Sequence, residues 1–199
     1  MKRTPSPKGA AFCLCLALML SGTLYGQSQA YKKFYVELEP LQFLSSGFSV
    51  VGHYALNQRT QVGFNVFNST LGEGLNDLVW DIEGTPNLEA RQSLGINLSV
   101  RYFLGTAKKH EGWVVSLPLG YETWELRDKD AGSSVDYDFI YLGPRIGYLW
   151  APGESGFYLL AEAVAIVPVI RDEEVSLGSG LVEINPFVPF PGLGIGWRF

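Results

Sequence analysis

The sequence predicts an all-β fold, a single eight-stranded, antiparallel, up-and-down β-barrel that spans a membrane. Two patterns and the composition predict it. Apolar and polar residues alternate with a period of two over most of the chain after residue 31, and a strand turns successive side chains to opposite faces. Short and long connections follow each other between these segments. Only 18% of the 199 residues are charged, whereas 14% are aromatic and 23 are glycine, which is low in charge for a soluble domain.

The first 30 residues have the layout of a secretory signal peptide. Lys2 and Arg3 give a positive start, Gly9 to Leu20 form an apolar run, and Ala30 places a small residue before the expected cut. The run is shorter than the roughly 20 apolar residues that a spanning helix needs, which argues against a membrane anchor. We therefore predict a signal peptide over 1–30 and one barrel domain over 31–199.

The remaining composition excludes several classes of function. The two cysteines, Cys13 and Cys15, lie inside the predicted signal peptide, so the mature chain would have no disulfide and no thiolate metal site. A net charge of −5 does not favour a nucleic-acid partner. Gly192, Gly194 and Gly196 resemble a glycine motif, but a phosphate loop needs a helix directly after it. We predict no cofactor.

Eight segments are predicted as strands. In 88–104, for example, Leu94, Leu98 and Val100 share one parity, and Ser99 and Arg101 share the other. Five segments alternate cleanly and three are less regular. The regular ones are 60–71, 88–104, 113–125, 136–150 and the segment that ends at 199, and the less regular ones are 31–44, 47–56 and 156–171.

The connections fall into two kinds. Those at 56–60, 105–112 and 151–156 are short and turn-like. Between them lie longer acidic stretches, whereas the first connection, 44–47, is short. The longer stretches are 72–87, 127–135 and 172–180. This alternation is typical of membrane barrels with turns on the periplasmic side and loops outside.

The 72–87 loop also carries apolar side chains, and two interpretations of them remain open. These residues are Leu75, Leu78, Val79, Trp80 and Ile82. Exposed on an outer loop, they would favour binding to a partner or to lipopolysaccharide. Alternatively, the loop folds down over the mouth of the barrel.

A soluble sandwich would produce the same periodicity, with the apolar faces turned inward. Two features favour lipid. The polar faces are rich in glycine, serine and asparagine, which suits a narrow lumen, and aromatic residues cluster near strand ends, as in interfacial girdles. These aromatic residues are Tyr102, Trp113, Trp150, Phe157, Trp197 and Phe199. A sheet in hydrocarbon must close on itself, because its backbone groups find no water there.

The end of the chain resembles the C-terminal insertion signal of Gram-negative outer-membrane barrels. Phe199 is the last residue, and Leu193, Ile195 and Trp197 precede it at alternate positions. Together with the strand pattern, the mature chain resembles the small eight-stranded outer-membrane β-barrel proteins of Gram-negative bacteria. The resemblance implies location in the cell outer membrane, contact with its lipid and lipopolysaccharide, and recognition by the barrel-insertion machinery. We expect a monomer.

The inward parity carries a set of ionisable residues, the predicted lumen charge network. Eight strands leave little free bore, and an isolated buried charge is costly, so these residues should pair and plug the barrel. The set is Glu37, Glu39, His53, Arg91, Arg101, Glu122, Arg145, Glu162 and Arg198. The plug favours a non-enzymatic structural, surface-interaction or binding role. A narrow, porin-like channel for ions or small apolar solutes is the alternative.

A lipid A-modifying enzyme is the third hypothesis, because some eight-stranded barrels act on that lipid. Such chemistry needs a nucleophile beside a base. Ser49 and His53 share a face, and His110 falls in a predicted periplasmic turn, so the sequence gives no positioned triad and we predict no catalytic residues. The acidic residues Asp128 and Asp130 lack the spacing of a calcium loop, and we predict no metal site.

Overall fold

A computed structural model of the chain describes residues 32–83, 87–104, 110–172, 174–178 and 180–199. The predicted signal peptide lies outside these residues. So do positions 105–109 of one predicted turn, 84–86 of the long predicted loop, and 173 and 179 in the last loop. In the described part of the chain, no helix is long and apolar enough to cross a membrane.

The described residues form twelve strands and two short helices. In chain order they are β1 (Phe34–Leu38), α1 (Pro40–Leu44), β2 (Phe48–Ala55), β3 (Thr60–Thr70), α2 (Glu73–Val79), β4 (Trp80–Glu83), β5 (Leu88–Phe103), β6 (Gly112–Asp128), β7 (Ser134–Leu142), β8 (Arg145–Trp150), β9 (Phe157–Arg171), β10 (Val175–Leu177), β11 (Gly180–Ile184) and β12 (Val188–Arg198).

The large sheet closes into a barrel of eight antiparallel strands, which confirms the predicted fold class. Its order is β12-β1-β2-β3-β5-β6, then β7 and β8, then β9, which pairs again with β12. β7 and β8 are two pieces of one strand, since both pair with β6 on one side and β9 on the other. They separate at Gly143 and Pro144, because proline has no N–H to give to the ladder.

The two ends of the barrel differ. At the turn end lie the short connections and both ends of the described chain, where the Lys33 amide donates to the Phe199 carbonyl at 3.0 Å. At the opposite, loop end lie α1, α2 and a second sheet of three strands, in the order β10-β11-β4. The predicted loop at 172–180 therefore contains sheet structure in its described residues.

The outer face of the barrel is apolar, as the alternation predicts. Leu98 is 64% exposed and Ile170 is 65% exposed. Exposed aromatic side chains gather at the turn end in pairs, such as Phe34 with Tyr54 at a ring distance of 5.1 Å and Trp113 with Tyr148 at 5.7 Å. A water-facing sheet would not present such a continuous apolar surface.

One predicted strand is wrong in its second half. The 31–44 segment is a strand only to Leu38, and a short helix follows from Pro40. Proline at the first helical position explains the change, because it cannot donate to a ladder and its fixed φ suits a first helical turn. The wall of the barrel therefore loses β1 before the loop end is reached.

Candidate functional site

The middle of the lumen is filled by buried ion pairs. Arg101 Nη1 lies 3.4 Å from Glu37 Oε2, and the two side chains are 3% and 1% exposed. Arg145 bridges two carboxylates, with its Nη1 2.8 Å from Glu162 Oε1 and 3.2 Å from Glu39 Oε1. Five of the nine predicted lumen residues therefore meet here. Four of them belong to four different strands, and the fifth, Glu39, directly follows β1.

Glycines at inward positions make room for these large side chains. A Cβ at Gly192 would lie 2.6 Å from Glu162 Cγ, and one at Gly194 would lie 2.7 Å from Glu37 Cδ. The sequence predicts that small residues here admit side chains from across the lumen. The side chains come instead from β9 and β1, the strands that pair with β12.

Polar groups surround the ion pairs. Ser49 Oγ bonds to the Glu39 carboxylate and lies 3.1 Å from Asn65 Oδ1, and Asn97 Nδ2 donates to the Tyr141 hydroxyl at 3.3 Å. A space of only about 10 Å³ lies among these groups, which is room for roughly one water molecule. Among the described residues, the middle of the barrel is therefore packed and has no continuous bore.

Four predicted network members lie apart from these pairs. Arg91 is exposed on the outer face, so its placement in the lumen is wrong. The register of β5 shifts between Gln92 and Leu94, and a bulge of one residue moves every side chain beyond it to the other face. Gln92 is buried in its place.

Arg198 and Glu122 are also buried, away from the ion pairs that Arg101 and Arg145 form. Arg198 lies at the turn end, with its Nη2 3.5 Å from the Gly153 carbonyl. Glu122 accepts a hydrogen bond of 2.8 Å from Trp124 Nε1, nearer the loop end. His53 is buried beside the network, where neither ring nitrogen has a hydrogen-bond partner in the described residues.

An aromatic plug that the sequence did not predict closes the turn end. His110 is fully buried; its Nδ1 lies 2.6 Å from the Tyr35 hydroxyl and its Nε2 2.8 Å from the Asn57 carbonyl. Its ring contacts Phe103 at a centroid distance of 4.9 Å. Because the turn that contains His110 is polar, the sequence gave no signal that this side chain is buried. Its position next to the end of an apolar strand is nevertheless compatible with burial. Between the ion pairs and the turn end, the lumen is therefore filled by aromatic and apolar side chains.

The loop-end half is different, because it contains a cavity of about 430 Å³. Its walls are mainly apolar and come from β3, β6, β7, β9 and β12, and its floor is the ion-pair layer with Glu39, Arg145 and Glu162. Apolar wall residues include Phe67, Phe139, Val164, Ile166, Val188 and Phe190. A mainly apolar pocket with a few convergent polar groups is the usual form of a ligand site.

A cap formed by α2 and the three-stranded sheet covers this cavity. Trp80 is 1% exposed and packs edge-on against Trp124 and Tyr137, at ring distances of 5.5 and 5.2 Å. Val79 and Ile184 belong to the same cluster and line the cavity from above. Of the two interpretations of the 72–87 loop, its described residues follow the second, since Val79 and Trp80 fold over the mouth.

The residues considered for catalysis do not form a nucleophile–base pair. Ser49 Oγ is held by Glu39 and Asn65, and the ring nitrogens of His53 do not bond to it. Of the described residues, no three histidine, cysteine, aspartate or glutamate side chains are grouped so as to hold a metal ion.

Several solved barrels are similar to this chain at low sequence identity. The N-terminal β-barrel domain of Pseudomonas aeruginosa OprF is 11% identical with a TM-score of 0.49, and covers 85% of this chain and 98% of its own. Neisserial surface protein A is 13% identical with a TM-score of 0.45, covering 84% and 94%. Ail, the attachment invasion locus protein of Yersinia pestis, is 12% identical with a TM-score of 0.42, covering 84% and 97%. No family model and no curated protein matches the chain.

Proposed function

We propose that this chain is a closed, monomeric barrel of the Gram-negative outer membrane with a structural or surface-interaction role. The filled lumen is the observation that carries the proposal. In the part of the chain that the structure describes, ion pairs occupy the middle of the lumen and the His110 plug occupies its turn end, which leaves no room for a water-filled path from one end to the other. The apolar outer face, with Leu98 and Ile170 exposed, supports a lipid environment, because a sheet in hydrocarbon must pair its backbone groups by closing on itself, and the large sheet closes through β1 and β12.

The orientation that we propose places the turn end in the periplasm and the loop end outside. The turn end holds the short connections and the end of the last strand, as in known membrane barrels. The cap then faces the medium, where lipopolysaccharide and other surface molecules would contact it. We also propose that the barrel-insertion machinery recognises Phe199 and the alternate apolar residues before it.

Fractionation and conductance together test this proposal. We expect the protein in outer-membrane fractions, with a gel migration that changes on boiling, and no discrete current steps when it is inserted in a planar bilayer. Recovery in the soluble periplasmic fraction would contradict the membrane location. Regular current steps that scale with salt concentration would instead favour the narrow channel.

The enzymatic alternative has a separate test. No hydrogen bond joins Ser49 to His53, so we propose no lipid A-modifying activity. Expression of the protein should leave the mass of lipid A unchanged, with a Ser49→Ala variant as the control. A mass shift that the variant abolishes would contradict this proposal.

A further inference from the structure

We propose that the loop-end cavity binds a single acyl chain, which enters sideways from the surrounding lipid through a window in the barrel wall. The window lies between β12 and the β2–β3 hairpin, where β1 is missing. This inference rests on the proposed function only in requiring that the barrel lies in lipid.

The window exists because β1 is short. Its pairing with β12 ends at Leu38 and Ile195, but β12 continues along β9 as far as Val188. From 194 to 188 the free edge is about 20 Å long, at roughly 3.4 Å per residue. Helix α1 lies beside this edge, yet no backbone hydrogen bond joins 39–47 to 188–194, segments that are described throughout.

Prolines occupy two of the three positions at which the free edge would turn an N–H group toward the window, and Leu193 is the third. The Phe199 amide donates to Phe34 in β1, whereas the Arg198 amide donates to Gly156 on the opposite side. Neighbouring residues of an antiparallel strand point their amides to opposite sides. The N–H groups of the odd-numbered residues of β12 therefore point toward β1 and, beyond its end, toward the window. Pro189 and Pro191 are both odd-numbered and have no N–H. The edge therefore has two fewer N–H groups that would lack a hydrogen-bond partner in hydrocarbon.

The same side chains border the window and the cavity. On the helix side, Leu41 is 37% exposed and Leu44 is 84% exposed, and both also line the cavity. On the β12 side, Pro191 and Leu193 also border the window and line the cavity, and Leu193 is 38% exposed. The apolar interior of the cavity is thus continuous with the apolar outer face of the barrel, which faces lipid in the proposed orientation.

The cap and the ion-pair layer bound the cavity at its two ends. Val79 and Ile184 lie above it in the cap, and the ion-pair layer closes it below. In that layer Arg145 already has two carboxylate partners, so the floor offers no free cation to an anionic solute. A cavity of about 430 Å³ is within the usual range of ligand pockets, about 300–1,000 Å³. An apolar chain from the membrane fits these walls and this entrance.

Photocrosslinking in vesicles tests the inference. The full chain is purified from membranes and reconstituted in phosphatidylcholine vesicles that contain phosphatidylcholine with a diazirine at the end of one acyl chain, then irradiated and mapped by mass spectrometry. We expect adducts on inward residues such as Phe139 as well as on outward residues such as Leu98. Val164→Trp, which fills the cavity, should lower the Phe139 adducts at least tenfold and leave those at Leu98 unchanged.

The neighbouring residue gives the matched control. Ala163 lies on the same strand but is exposed on the outer face, so Ala163→Trp should leave the Phe139 adducts as they are. Val164→Phe replaces the tryptophan variant if the latter loses its heat-modifiable migration, and the same loss of adducts is expected.

The remaining outcomes separate the two proposals. Adducts at Leu98 without any inside the cavity would overturn the inference and leave the membrane barrel intact. Adducts at neither place would show that the barrel is not in lipid. Cavity adducts from a free diazirine fatty acid but not from phosphatidylcholine would overturn the sideways entrance.

Discussion

The two halves of the lumen belong to one barrel but hold different contents, and strand β1 ends before it reaches the loop-end half. In the turn-end half, Arg101 and Arg145 face carboxylates, and aromatic rings close the end. In the loop-end half, inward residues such as Phe139 and Val164 line a cavity under a cap. The difference shows that inward side chains and strand length decide whether an eight-stranded barrel is solid or hollow, because the two halves share every strand of the ring except β1.

Breaking the ion-pair layer should have the largest effect. Arg145→Met leaves Glu39 and Glu162 buried beside each other without a cation, and removing one partner of a buried pair costs about 3–5 kcal/mol. We expect a loss of that size in the free energy of unfolding, measured by urea titration in lipid vesicles.

An ion pair at the loop end provides the control for that variant. Arg171 and Glu183 are 2.7 Å apart, with side chains about one third exposed. Breaking an exposed pair costs about 1 kcal/mol or less, so Arg171→Met should change the free energy of unfolding far less than Arg145→Met. Equal losses would show that the buried layer has no special role.

Removing the centre of the cap should have the next largest effect, confined to the loop end. Trp80→Ala deletes a buried ring from the packing against Trp124 and Tyr137, and such truncations cost about 3 kcal/mol. Amide hydrogen exchange should become faster in α2 and the three-stranded sheet and stay unchanged at the turn end. Faster exchange throughout the barrel would contradict the separation of the two halves.

The turn-end plug should show a smaller, pH-dependent effect. Burial lowers the pKa of His110 from its usual value, although the hydrogen bond to the Asn57 carbonyl opposes this. A histidine with a lowered pKa in the folded state stabilises the fold above the unfolded pKa, and that stability is lost as the pH falls through the folded pKa. Unfolding should therefore become easier below about pH 6.5, and His110→Gln should reduce this dependence. An unchanged pH profile in the variant would contradict the buried, neutral histidine.

Much of the fold was predictable because the hydrophobic period of two reports which face each residue occupies. The pattern placed Leu98 outward and Arg101 inward, as the structure does. It failed at Arg91, since a bulge is one inserted residue with no strong sequence mark. The short β1 and the window were missed as well, although Pro189 and Pro191 carried a usable signal, because proline within a strand marks an unpaired edge. Burial of His110 depends on contacts with distant residues, which periodicity does not encode.

Reaction rates of two engineered thiols test the central claim, a hollow loop-end half above a filled turn-end half, most directly. Ser69 and Ser99 are similarly buried, at 7% and 8% exposure, but Ser69 lines the large cavity and Ser99 the small space. Ser69→Cys and Ser99→Cys are made in a chain with Cys13 and Cys15 replaced by serine, and are treated with N-ethylmaleimide in vesicles. We predict that the thiol at 69 reacts at least tenfold faster. Equal rates, or a faster reaction at 99, would contradict the account.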